Sequence, residues 1–275
     1  MTSSTLTSKQ LPRTIRRSDT DLTAGGLLSS EWIKFRTLRS SWLTLAGAVL
    51  VMIVFGAIFG YSTSTANWAK LGAGSRAATG SLGGYLIARI VIGVLGVLLV
   101  TGEYATGMIR STFTAVPRRL PVLAAKSGVF AAIAVLTMTM ASFAAYFLAQ
   151  AFLRSHGHGS SLSEPGALRC VAGLGVYLAL IGALGGALGW IMRSTAGGIS
   201  ALVGIMLILP VVVGLLPNGI GDATTKYLPS EAGGAFINAA HNAGTLSPWT
   251  GLGVLTLWVA GAIATATVLI RRRDA

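Results

Sequence analysis

Long, unbroken apolar runs separated by short polar stretches dominate this chain. Trp42–Tyr61 is the first run, with no charge between Arg39 and Lys70. Leu82–Thr101 is the second, interrupted only by Arg89. The others cover 127–150, 170–192, 197–216 and 251–270, the last stopping at Arg271, Arg272 and Arg273. Each run approaches or exceeds the ~20 residues that a spanning helix needs. They are too continuous for barrel strands, which alternate over about ten residues. The pattern predicts an all-α integral membrane fold: six transmembrane helices over a domain at 27–275, with 1–26 as a disordered Ser-, Thr- and Arg-rich tail.

Three segments outside the spans carry enough pattern to be read. In SSEWIKFRTLRSSW, Ser29 or Ser30 suits an N-cap and Glu31 the first turn. Leu28, Trp32 and Phe35 share one helical face, with Glu31 and Lys34 turned elsewhere and Arg39 snorkelling near the apolar stripe. The segment at 28–41 is therefore expected to be an interfacial helix leading into the first span; Trp and Arg together suit the headgroup zone. The stretch Thr101–Lys126 is longer than a simple connection requires. It contains a helical candidate at Tyr104–Phe113, closed by Pro117 and Pro121. Its Glu103, Arg110, Arg118 and Arg119 could form directed ion pairs with a protein partner, or serve only as a basic stop-transfer loop. Finally, 217–250 mixes Tyr227, Leu228, Phe236, Ile237, Leu246 and Trp249 with Gly and Pro. It is too apolar for a solvated loop and is expected to form short helices in or against the membrane surface.

Composition agrees with this reading. Charged residues are 11% of the 275, against 53% hydrophobic, and a soluble globule with so few charges could not cover its surface. Cys170, the single cysteine, excludes an internal disulfide framework. The formal charge of +13 reads as topology. With the N-terminus inside, 15 of the 21 Lys and Arg fall in inside segments and five outside. Both termini are then cytoplasmic, and nucleic acid is a poor explanation of the basicity. Residues 1–25 lack the apolar core of a cleavable signal peptide.

Few residues invite chemistry. Arg89 lies about 10 Å into its span at 1.5 Å per residue, and an ionisable residue at depth is a functional candidate by default. It could line a translocation pathway and meet an anionic group, or snorkel outwards. Gly72–Ser75 is a small-residue turn without the facing intramembrane histidine that a serine protease needs. His156 and His158 lack the further ligands of a zinc site, so no metal centre is expected. GxxxxGK[ST] is absent, which excludes that mode of ATP binding. The Gly56/Gly60, Gly182/Gly186 and Gly185/Gly189 spacings point to close helix packing.

EWIKFRTLRSSW before the first span and GEYATGMIRSTFTAVPRRLPVLAAK after the second resemble bacterial permease subunits of the ABC type-2 exporter family. Glu103, Gly107, Pro117 and Arg118 match that family's acid, glycine, proline-arginine loop pattern. The resemblance implies a non-catalytic permease of a bacterial cytoplasmic membrane, moving a hydrophobic or amphipathic substrate outwards. Glu103, Tyr104, Gly107, Arg110, Pro117, Arg118 and Arg119 would form the coupling element that docks on a separate ABC ATPase. That partner alone would hold ATP and magnesium, while a second permease copy or a sister permease would complete the pathway. A permease-like anchor or sensor without transport, and an ion-coupled secondary transporter, are the alternatives. The latter is disfavoured because no acid lies inside the six predicted runs.

Overall fold

The computed structural model describes residues 24–65, 75–109, 114, 119–155, 159–217, 219–239 and 244–272. The expected tail, apart from its last residues, therefore lies outside the described residues, as do Arg110, Pro117, Arg118, Gly72–Gly74 and all three histidines. No strand occurs among the described residues, and six helices are long and apolar enough to cross a membrane.

The chain begins with α1 (Ala24–Thr37), bends at Leu38 and continues as α2 (Arg39–Thr65). Phe35 and Trp42 meet edge to face at 5.6 Å across the bend, and the Trp42 indole donates to the Arg36 carbonyl at 3.2 Å. A short α3 (Ser75–Ser81) precedes α4 (Tyr85–Ala105). Then come α5 (Arg119–Ser155) and α6 (Ala167–Met192). The fifth span is composite: α7 (Thr195–Val203), a π-turn at Gly204–Ile208, and α8 (Leu209–Gly214). Pro210 explains the break, since it has no N–H to donate and the ladder slips by one residue to accommodate it. Two short helices, α9 (Ile220–Thr225) and α10 (Pro229–Ile237), precede the last span, α11 (Pro248–Arg272).

α6 is the axis of the bundle and its most buried span, with α4, α5, α10 and α11 packed around it. Glycines make the closest approaches. A Cβ on Gly96 would overlap the Gly182 carbonyl, and one on Gly185 would overlap that of Gly93, so α4 and α6 run nearly backbone to backbone. Gly56 and Gly60 bring α2 equally close to Ala145 and Ala149 of α5. The predicted glycine pairs are thus consumed inside one chain.

The spans alternate in direction, which gives the bundle two ends. The α1 end gathers Val100, Ile109, Leu123, Trp190, Ala266 and Ile270 in one apolar cluster. The far end carries α9 and α10, and there seven of the nine residues of α10 are buried. Arg169 secures it, donating to the carbonyls of Phe236 and Asn238. The apolar stretch at 217–250 accordingly forms short helices, one of them packed into the bundle.

Two boundaries differ from the expectation. α5 starts at Arg119 rather than near 127, because Pro121 falls in its first turn, where a missing N–H costs nothing, and Lys126 is neutralised inside the fold. Tyr104 belongs to the last turn of α4 rather than to a separate loop helix. Gly107, at φ 73°, then turns the chain in the left-handed conformation that ends helices.

Candidate functional site

The loop at 106–118 leaves α4 and returns into α5, so charges near the two helix ends face each other. Glu103 on α4 and Lys126 on α5 are paired in this way, with Lys126 Nζ 2.8 Å from Glu103 Oε1. α1 lies across them and adds the other half of the cluster. Lys126 Nζ is 2.9 Å from Glu31 Oε2, while Lys34 Nζ is 2.7 Å from Glu31 Oε1 and 3.1 Å from Glu103 Oε1. Two carboxylates and two ammonium groups thus close a ring that joins three helices.

The ring is desolvated: Glu31, Glu103 and Lys126 are 6%, 8% and 8% exposed. Charges taken this far from water are tolerated only when paired, and removing one member leaves the others uncompensated. Lys34 is the most accessible member. Burial works against its ammonium form, but the Glu31 hydrogen bond and the charges of Glu103 and Glu31 outweigh it and hold its pKa above the ordinary 10.5. Glu103 Oε2 is buried and has no partner among the described residues, so Oε1 alone carries both lysine contacts.

Beside the ring lies a cavity of about 580 Å³, within the range of small-molecule sites. Leu38, Leu95, Leu98, Leu99, Val129 and Phe130 supply much of its apolar lining, and the four ring residues border it. It therefore offers an apolar chamber with a charged margin.

The ring corrects the expected face of α1. Leu28 and Trp32 stay exposed, Phe35 turns inwards, and Glu31 and Lys34 face the bundle instead of away from it. The reason is electrostatic: with Lys126 and Glu103 opposite, burying the Glu31 carboxylate is cheaper than burying the Trp32 face. Arg39 is exposed at the first residue of α2. Tyr104 packs edge to face on Trp190 at 5.9 Å, under the Arg193 guanidinium at 5.6 Å from its ring. Gly107 forms the turn and Arg119 begins α5. Of the expected coupling residues, Glu103, Tyr104, Gly107 and Arg119 therefore occupy the helix ends that flank the loop. Arg89 is not part of this site; it lines a separate cavity at the far end.

Lys126 is the functional candidate that the sequence reading omitted. Its signal was available: an acid and a base stand at equivalent heights on two helices joined by one loop, in a chain with only eight acids.

Comparison with known proteins agrees with this architecture. Residues 27–198, from α1 through the start of the fifth span, match the family described as ABC-2 family transporter protein. No curated protein matches the chain at a significant level. With that family covering well over half of its length, the chain belongs to the ABC-2 transporter family as a multi-pass membrane permease.

Proposed function

We propose that the chain is the membrane-spanning half of an ATP-driven exporter of the bacterial cytoplasmic membrane, with both termini inside. It works with a separate ABC ATPase subunit and a second permease copy. The observation that carries this reading is the ring of Glu31, Lys34, Glu103 and Lys126, which ties α1 to the helices on either side of the 106–118 loop. A push on that loop by a nucleotide-driven partner would pass through Glu103 and Lys126 to α1 and to the wall of the adjoining cavity. In this role Glu103 positions the docking loop; the exposed basic loop residues Arg110, Arg118 and Arg119 make the direct contact. The apolar lining of the cavity favours a hydrophobic or amphipathic substrate. Energy must then come from another chain, since this sequence holds no GxxxxGK[ST] loop.

Purification of the tagged protein from mildly solubilised membranes tests the reading. An ABC ATPase should co-purify in stoichiometric amount and be lost from Arg110→Ala, while Glu103→Gln retains it but exports less. Recovery of the intact permease without any ATPase, in a detergent that preserves other ABC complexes, would overturn the proposal.

A further inference from the structure

At the far end, a second and smaller cavity of about 140 Å³ opens between the start of α4, α10 and the start of α11. Its lining is unlike that of the first. Arg89, Tyr85, Ser230, Asn238 and Thr245 present hydrogen-bonding side chains, and Glu231 contributes the one carboxylate. Ser230 is 2% exposed, and its Oγ has no hydrogen-bond partner among the described residues. The Nε of Arg89 is likewise buried and without such a partner, although the guanidinium lies near the hydroxyls of Tyr85 and Tyr177. No described acid lies within ion-pair distance of Arg89. Glu231 is exposed, so solvent screens its charge.

An orphaned buried donor costs about 1–3 kcal/mol, and a cation at this depth is retained where something answers it. Two such donors share one cavity, which is several times larger than a single water requires. A guanidinium fork together with a hydroxyl is the donor set that suits an anionic oxygen pair. We propose that Arg89 and Ser230 form a binding site for a singly charged oxyanion: the phosphodiester head of an amphiphile, or free phosphate. Arg89 supplies the charge and Ser230 a directed hydrogen bond, and the exposed Glu231 marks the solvent side of the site. This inference goes beyond the exporter reading and does not depend on it, because binding needs neither ATP nor a partner.

Native mass spectrometry of the delipidated full chain tests it, with phosphatidylglycerol, uncharged diacylglycerol and inorganic phosphate as separate probes. The wild type should hold one phosphatidylglycerol or one phosphate per chain and show no comparable affinity for diacylglycerol. Retention should fall tenfold or more in Arg89→Gln and severalfold in Ser230→Ala, recover in part in Arg89→Lys, and rise in Glu231→Gln. Selective phosphatidylglycerol binding supports the site and assigns a lipid source; selective phosphate binding supports it and assigns a soluble one. Equal retention of both anions by wild type, Arg89→Gln and Ser230→Ala would overturn it, as would preference for diacylglycerol. Ser230→Ala alters a single oxygen, so it keeps the test decisive if Arg89→Gln proves unstable.

Discussion

The two ends of the bundle treat buried charge in opposite ways. At the α1 end, four ionised groups answer one another, and their contacts run between helices. At the far end, Arg89 and Ser230 are left with donors that no described residue accepts. A closed ring specifies where helices sit; an open donor set specifies what can bind. The same price of desolvation therefore yields a mechanical link in one place and a recognition site in the other.

The most disruptive way to break this contrast is to open the ring by one charge. Lys126→Met leaves two desolvated carboxylates with Lys34 alone, and should cost about 3–5 kcal/mol of stability, read by thermal unfolding in detergent through tryptophan fluorescence. Combining it with Glu103→Gln rebalances the charge and should recover most of that loss. If the double variant is no more stable than Lys126→Met, the ring is not the origin of the effect.

The next largest effect should come from the seam that joins the ends. Arg89 and Glu103 lie 14 positions apart on α4, about 21 Å along one helix, and α4 is held to α6 through Gly93, Gly96, Gly182 and Gly185. Gly96→Ala or Gly185→Ala must separate two backbones and should cost about 1–3 kcal/mol. Gly253→Ala, on α11 with open space around it, should change stability by no more than ~0.5 kcal/mol. Similar losses at all three positions would deny the seam its special closeness.

Smaller still is the response of the open site. Arg89→Met removes a donor without a described acceptor, so in the absence of ligand it should leave stability within ~0.5 kcal/mol of wild type or raise it. A loss comparable to that of Lys126→Met would mean that Arg89 is a structural ion after all. The smallest effect concerns pH. The Lys34 pKa is raised in the fold, so its contribution is fully present below the unfolded value of 10.5 and is lost only as pH rises through the higher folded value. Lys34 should therefore add no pH dependence to the unfolding midpoint between pH 6 and 9, and wild type should lose stability relative to Lys34→Met only in stronger alkali.

The spans were legible because they are governed by length and hydropathy, which are local properties. Small residues at four-residue spacing likewise announced close packing, although not which helices would meet. The face of α1 was illegible for a different reason. A stripe of Leu28, Trp32 and Phe35 follows from helical period alone, whereas burial of Glu31 depends on Lys126, 95 positions away. The early start of α5 was hidden by the same pairing, since Lys126 reads as a loop charge until its two carboxylates are in place. Arg89 stood out at once because its cost is local, but its companion Ser230 is an ordinary serine until α10 folds back against α4.

The central claim is that the ring transmits motion between the loop and α1, and the charge-balanced double variant tests it most directly. Glu103→Gln with Lys126→Met leaves only the Glu31–Lys34 pair within α1, and so severs every ion pair between helices while keeping the cluster neutral. Reconstituted with its ATPase in proteoliposomes, it should assemble and hydrolyse ATP, yet lose at least tenfold in transport per ATP. Transport per ATP equal to wild type would contradict the account.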